Sequence, residues 1–173
     1  GTVYMYLKRF NSEKNKLVFD SNYFIKINSP DPTNNQRFGS SVSLTSSGLR
    51  IAIGGPNFTN ETNTSIGIVA VYSLNSNIFD DNLVESSDNT DKISLLDTIS
   101  GSYLNEYFGS SLSLNGSGDY LIVGSTGTTT QGGKISMFNY SNTNEWSKYT
   151  NDYLFTDLDL PTSTIATSAT TTA

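Results

Sequence analysis

Residues 38–56 read FGSSVSLTSSGLRIAIGGP, and this segment is the main evidence for the fold because a close copy of it follows later in the chain. Residues 108–126 repeat it with nine identities in 19 aligned positions. A shorter element, GIVAVY at residues 67–72, occurs three times, because GTVYMY begins at residue 1 and GKISMF at residue 133. The three copies start 66 residues apart. We therefore interpret the chain as tandem copies of one structural unit.

The composition favours strands and polar turns. Asn, Ser and Thr supply 66 of the 173 residues, whereas 35% of the chain is hydrophobic and 15% charged. Helices are disfavoured by such a composition. The net charge of −6, without a basic stripe, opposes a phosphate backbone, so we predict no nucleic-acid partner. No apolar run approaches the ~20 residues of a membrane-spanning helix, so we predict no membrane-spanning segment.

Alternating apolar and polar residues predict strands separated by turns. We expect Phe38, Val42 and Leu44 to share one face of their strand, and Leu49, Ile51 and Ile53 to face inward on the next. The second predicted strand should break near Ser21 and Asn22. The predicted strands cover residues 1–6, 16–27, 38–44, 49–53, 68–74 and 92–99, and the cycle restarts at Phe108 and ends in an outer strand at about 146–155.

The succession of FGSSV at 38–42, IGGP at 53–56 and GIVAVY at 67–72 resembles the FG-GAP repeat, the blade of integrin-type propellers and of many secreted repeat proteins. The resemblance extends from residue 1 to about residue 159. It implies an all-β fold of tandem four-stranded antiparallel blades of a β-propeller, packed face to face.

On this interpretation the chain holds about two and a half blades. Residues 1–36 form the third and fourth strands of a first blade plus a connection, residues 37–107 a complete blade and residues 108–160 a second complete blade. Residues 161–173 form a Thr/Ser-rich flexible linker or tail. Closed propellers use about 4 to 8 blades. The half blade leaves an open edge at residues 1–6, which should pair with a copy of the chain or with a missing part of its own chain.

Three explanations of the incomplete count stay open. The chain is a piece of a longer protein, several chains combine into one ring, or the blades stack openly into a rod. We favour a missing upstream portion, because residue 1 lies inside a repeat element and is not an initiator Met. Completion by another chain is the second choice.

Metal binding and catalysis find little support in the sequence. FG-GAP repeats of the integrin kind carry a D-x-D-x-D-G calcium loop, but the equivalent turns here are TSSG at 45–48 and NGSGD at 115–119. We therefore predict no cofactor and no metal site, with calcium as the weaker alternative. The acids at residues 80–91 are spread over a loop, which favours a solvated acidic loop over a chelating site.

No catalytic residue is predicted. The chain lacks His and Cys, which excludes Ser-His and Cys-His nucleophile pairs. Asp157 and Asp159 would share one face of a strand and could serve as a carboxylate pair, as in glycosidases, but an edge strand with one wet face shows the same pattern.

Covalent glycans are the one modification that the sequence favours. The N-glycosylation candidates are Asn57, Asn60, Asn63, Asn115 and Asn139. The first three lie in one predicted exposed loop, where a sugar costs no packing. The Thr-rich tail reads either as an O-glycosylated stalk or as a plain flexible tail. Its O-glycosylation candidates are Thr162, Ser163, Thr164, Thr167, Ser168, Thr170, Thr171 and Thr172.

These features predict a non-enzymatic, glycosylated protein at the cell surface or outside the cell. We expect a structural or adhesive role as a subunit or segment of a filament or stalk. The alternative is a ligand-binding propeller module that recognises a protein or carbohydrate through the loops after Gly54 and Gly124.

Overall fold

Strands dominate the described part of the chain, so the predicted all-β class is confirmed. The computed structural model describes residues 1–31, 35–60, 65–76, 88, 90–127, 132–141, 145–149 and 152–154. It describes only the backbone of Arg9, Asp20, Asn22, Tyr153 and Leu154. The predicted tail at 161–173 lies outside the described residues.

The strands form three antiparallel sheets, and in each sheet the strands are consecutive in sequence. The first sheet pairs β1 with β2, the middle sheet has the order β3-β4-β5-β6, and the last sheet has the order β7-β8-β9-β10, with β11 also paired to β9. In chain order the strands are β1 (Thr2–Asn11), β2 (Lys16–Asn28), β3 (Ser41–Leu44), β4 (Arg50–Gly55), β5 (Ile68–Leu74), β6 (Ile93–Ser100), β7 (Phe108–Leu114), β8 (Tyr120–Ser125), β9 (Lys134–Tyr140), β10 (Trp146–Lys148) and β11 (Tyr153–Leu154). A 3-10 helix (Thr90–Lys92) precedes β6.

The break predicted near Ser21 and Asn22 is present as a bulge inside β2. Tyr6 pairs with Phe24 and Lys8 with Phe19, so one residue of β1 lies opposite four residues of β2. The extra residues bend the hairpin while its ladder continues on both sides.

The central strands of the middle sheet, β4 and β5, are covered on both faces. Towards the first sheet they pack Ile51, Ile53, Ala70, Tyr72 and Leu74 around Leu7, Ile25, Ile27 and Phe38. Towards the last sheet they pack Ala52, Val69 and Val71 against Phe108, Leu114, Leu121, Val123, Phe138 and Trp146. A strand buried on both faces needs apolar residues at successive positions, which explains the runs IAI and IVAVY in β4 and β5.

The expectation that Phe38, Val42 and Leu44 share a face is wrong. Phe38 is buried in the turn before β3, whereas Val42 and Leu44 are exposed. Gly39, at a φ of +92°, turns the chain between Phe38 and β3, so the alternation of the strand does not extend back to Phe38. Ile51 and Ile53 are buried as predicted. Leu49 lies before β4 and is half-buried.

The segments leading into β3 and β7 share an unusual backbone. Left-handed φ values occur at alternate residues in both, at Asn35, Arg37 and Gly39 in one segment and at Asn105, Tyr107 and Gly109 in the other. Bulky residues such as Arg and Tyr rarely adopt this conformation. The two copies therefore agree in local geometry as well as in sequence.

Candidate assembly surfaces

The contact between the middle and last sheets depends on two glycines. A Cβ at Gly54 would collide with the Gly109 carbonyl, and a Cβ at Gly109 would lie 2.8 Å from the Ile68 carbonyl oxygen. Ser41 Oγ donates a hydrogen bond of 2.7 Å to the Gly109 carbonyl. At the same end Phe108 forms a parallel bridge to Gly67. The Phe-Gly motif thus brings the backbones of the two sheets together.

Polar groups fix the other end of this contact. Arg50 Nη1 donates to the Gly118 carbonyl at 2.6 Å, and the guanidinium lies 4.2 Å from the centre of the Tyr140 ring. The backbone N–H of Leu114 donates to Ser43 Oγ at 2.9 Å. Ser41, Ser43 and Arg50 therefore hold the last sheet in one alignment on the middle sheet.

The first and middle sheets repeat part of this arrangement. A Cβ on Gly1 would collide with the backbone of Phe38, as one on Gly67 would with the backbone of Phe108. A Cβ on Gly39 would lie 3.0 Å from Val3 Cγ2. The same sheet-on-sheet contact is therefore built twice within the chain.

The outer face of the last sheet carries an apolar surface that is uncovered among the described residues. Ile122, Ile135 and Met137 form this surface, which we call the isoleucine face. Ile122 pairs across the ladder with Met137, and Ile135 lies opposite Gly124 on the neighbouring strand. Ile122 and Ile135 are exposed to 41% and 37%. Alternate residues of the same strands, such as Leu121 and Val123, are fully buried on the middle sheet, so this face points away from it.

The outer face of the first sheet carries an aromatic cluster. Tyr4, Tyr6 and Phe24 form this surface, which we call the aromatic face. The Phe24 ring centre lies 5.5 Å from that of Tyr4 and 6.1 Å from that of Tyr6. The two tyrosines are exposed to 48% and 43%. Beside them an open cavity of about 480 Å³ is lined by Tyr6, Phe19 and Ser21.

The edge of β1 opposite β2 has no strand partner in the described part of the chain. The equivalent strand of the middle sheet, β5, pairs on both sides, with β4 and with β6. Among the described residues, no strand therefore pairs with the edge predicted to be open at residues 1–6, and its pairing partner stays a prediction.

A buried ionic cluster lies where β9 begins. Lys134 Nζ is 2.8 Å from Glu106 Oε1 and 3.2 Å from Asp152 Oδ2. The side chains of Lys134 and Glu106 are only 6% and 3% exposed. Glu106 Oε2 accepts the backbone N–H groups of Ser102 and Tyr103, at 2.6 and 2.9 Å. The glutamate thereby fixes the loop before β7, and the lysine compensates its charge.

Asp152 completes the cluster from the chain segment before β11. Its Oδ1 accepts a hydrogen bond from Ser136 Oγ at 2.5 Å and lies 2.7 Å from Lys148 Nζ. Burial raises the pKa of Asp152, but Lys148, Ser136 and Lys134 outweigh it and bring the pKa below its ordinary value. Burial likewise lowers the pKa of Lys134, but Glu106 and Asp152 outweigh it and hold the pKa above its ordinary value. Both groups are thus held charged near neutral pH.

The middle sheet has an uncharged counterpart of this cluster. Gln36 occupies the place of Glu106, and Ile68 the place of Lys134. The backbone carbonyls of Gln36 and Glu106 accept equivalent hydrogen bonds, from Asn57 and Gly127, both at 3.1 Å. Sequence reasoning missed the cluster, although the paired change from Gln and Ile to Glu and Lys between the two copies was a signal for it.

Comparison with known proteins adds no relative. No protein-family model matches the chain, and no curated protein matches it at a significant level. The FG-GAP resemblance therefore rests on the residues quoted above and stays an expectation.

The predicted N-glycosylation sites lie in different surroundings. Asn60 is exposed and Asn57 half-buried, both in the loop after β4, and Asn63 lies outside the described residues. Asn115 is exposed but organises its turn, because its Oδ1 accepts the N–H groups of Gly118 and Tyr120. Asn139 lies on β9, where its Oδ1 accepts the Ser147 hydroxyl at 3.1 Å. The O-glycosylation candidates fall outside the described residues.

The acids considered in the sequence are only partly described. Asp88 pairs with Lys26 at 3.2 Å, and Asp91 with Lys92 at 2.7 Å, a contact that lowers the pKa of Asp91. Asp80, Asp81, Glu85, Asp157 and Asp159 lie outside the described residues. Among the residues that are described, no three acidic side chains are grouped as metal ligands. Nor does any helix in that part of the chain have the length and apolar character needed to span a bilayer.

Proposed function

We propose that this protein is an extracellular, non-enzymatic structural or adhesive protein built from FG-GAP-type propeller blades. It serves as a glycosylated subunit or segment of a surface filament or stalk. The observation that carries the proposal is a pair of apolar surfaces that the described residues leave uncovered, one on the first sheet and one on the last. Large exposed apolar surfaces mark sites of association.

The chemistry of the described residues is consistent with a structural role. The most buried charged groups among the described residues, Glu106 and Lys134, are paired with each other and hold a loop in place. The exposed Asn60 and the half-buried Asn57 lie on a surface loop, where a glycan would displace no core side chain.

Native material tests this proposal directly. We expect an antibody against the chain to label intact, unpermeabilised cells or the surrounding matrix. We also expect treatment with an N-glycosidase to lower the mass and to convert at least one of Asn57, Asn60 and Asn63 to Asp. Labelling only after permeabilisation, together with an unchanged mass, would refute the proposed location and the glycoprotein assignment.

One observation favours ligand binding as a second candidate. The cavity beside the aromatic face combines two aromatic rings, from Tyr6 and Phe19, with the hydroxyl of Ser21, and sugars bind to surfaces of this kind through stacking and hydrogen bonds. This place differs from the predicted loops after Gly54 and Gly124. A glycan array probed with the wild type and with Phe19→Ser tests it, because binding through the cavity should disappear in the variant.

A further inference from the structure

We propose that the isoleucine face of one molecule binds the aromatic face of a second copy of this chain, so that molecules associate head to tail. The inference rests on the proposed function, because it names the partner through which the stacked units assemble. The evidence is a correspondence of surfaces. Within the chain, each sheet-on-sheet contact joins a surface like the isoleucine face to a surface like the aromatic face.

The isoleucine face corresponds to a covered surface of the middle sheet. Ile135 and Met137 occupy the places of Val69 and Val71, and Ile122 occupies that of Ala52. Ala52, Val69 and Val71 are fully buried beneath the last sheet. The same surface is therefore a docking surface wherever its neighbour is present.

The aromatic face corresponds to the surface that docks. Tyr6 occupies the place of Tyr72 in the middle sheet and of Phe138 in the last sheet. Tyr72 is buried against the first sheet and Phe138 against the middle sheet. In both contacts, an aromatic residue at this position packs on the preceding sheet. Only the aromatic residue of the first sheet is still exposed.

Side-chain size fits a contact between unequal sheets. The first sheet offers two strands where the middle and last sheets offer at least four. The open faces carry larger residues than the internal contacts: Ile122 replaces Ala52, Met137 replaces Val71 and Tyr4 stands in the place of Ala70. Larger side chains fill more space per strand. A contact that involves the two-stranded first sheet can therefore still reach the packing density of a protein interior.

The two faces are different surfaces on opposite ends of the chain, so their contact is heterologous. Such a contact extends into a filament or closes into a ring, depending on the rotation between copies. The residues that define the faces are all uncharged, so the net charge of −6 opposes association only at longer range, where physiological salt screens it.

The test uses the full chain, expressed without glycans, and two variants with the same substitution on opposite faces. Tyr6→Glu introduces a charge on the aromatic face, and Ile135→Glu introduces one on the isoleucine face. Leu95→Glu is the matched control, because Leu95 is an exposed apolar residue on β6, outside both faces. Sedimentation velocity at protein concentrations from about 1 to about 500 µM measures association. This range covers dissociation constants in the micromolar range.

We expect the wild type and Leu95→Glu to form larger species as concentration rises. Each face variant alone should associate at least about 30-fold more weakly, as when an interface anchor is lost. Mixed together, the two variants should form a 1:1 heterodimer that grows no further, because each supplies the intact face that the other lacks.

Two results would overturn the inference. A wild type that stays monomeric throughout the range shows that these faces do not join copies of the chain. Association that only one face variant abolishes, with no heterodimer on mixing, shows a symmetric contact through a single face. Neither result touches surface labelling or the glycan mass, so the proposed function can survive the failure of this inference. Circular dichroism and thermal midpoints show whether the variants are folded.

Discussion

The middle and last sheets share their strand order and much of their sequence, yet they differ in two respects. The central strands of the middle sheet are buried on both faces, whereas the described residues cover the corresponding strands of the last sheet on one face. Near its Phe-Gly motif the middle sheet has the uncharged residues Gln36 and Ile68. At the equivalent positions the last sheet has the buried ion pair of Glu106 and Lys134. The same backbone arrangement therefore accommodates either an uncharged residue pair or an ion pair at equivalent positions. Substitutions at these equivalent positions should change the free energy of unfolding by different amounts.

The largest effect is expected from Lys134→Met. It leaves Glu106 buried without a cation, which should lower the free energy of unfolding by about 3–5 kcal/mol in urea titrations. Lys148→Met is the control, because Lys148 is half-exposed and should cost below about 1 kcal/mol.

The double variant Glu106→Gln with Lys134→Ile gives the last sheet the uncharged residue pair of the middle sheet. It should recover most of the lost stability, since uncharged groups of similar size can replace a buried ion pair. A double variant no more stable than Lys134→Met would show that the two sites are not interchangeable.

Gly54→Ala should cost up to about 3 kcal/mol, because its methyl group meets the Gly109 backbone of the neighbouring sheet. The equivalent change, Gly124→Ala, collides among the described residues with the Ser111 hydroxyl of its own sheet, and that group can rotate. It should cost below about 1 kcal/mol. Equal losses in thermal unfolding would contradict the difference in coverage between the two sheets.

Val69→Ala should cost about 2 kcal/mol, because it removes fully buried methyl groups between two sheets. Ile135→Ala, at the same position of the last sheet, should cost below about 1 kcal/mol at a low micromolar concentration. The urea midpoints of the two variants give their losses in the free energy of unfolding, provided that the m-value is unchanged. A larger loss for Ile135→Ala would mean that its face is already covered in the single molecule.

The smallest effect concerns pH. The folded pKa of Asp152 lies below 3.8, so its stabilisation is complete above that pH and is lost as pH falls through the folded pKa. The folded pKa of Lys134 lies above 10.5, so its stabilisation is lost as pH rises beyond that value. Each group changes stability by at most about 1.4 kcal/mol per pH unit.

Asp152→Asn tests how much Asp152 contributes to the loss of stability at low pH. Between pH 5 and pH 3 it should lose less stability than the wild type, because one carboxylate that titrates on unfolding has been removed. If the free energy of unfolding falls equally with pH in both proteins, Asp152 contributes nothing to the loss of stability at low pH.

Much of the fold could be predicted because the repeat places equivalent strands in register with each other. The runs around Ile51 and Val69 identified β4 and β5, and the bulge near Ser21 was visible as a polar interruption. The facing of Val42 was not predictable from alternation, because the left-handed Gly39 separates Phe38 from the strand. The ionic cluster was missed because Glu106 and Lys134 lie in different repeated segments, and only the sheet brings them together. The unpaired edge of β1 in the described part of the chain was predictable, because residues 1–6 match the third strand of the later units.

The order of the strands has a consequence for how the chain is made. Since the strand pairs join neighbours in sequence, except for β9 with β11, the pairing contacts are local and the entropy of closing long loops stays low. A ribosome could therefore release one finished sheet before the next has emerged, and each new sheet would settle on a surface that is already formed. Growth in that direction always leaves the newest sheet with a bare outer side.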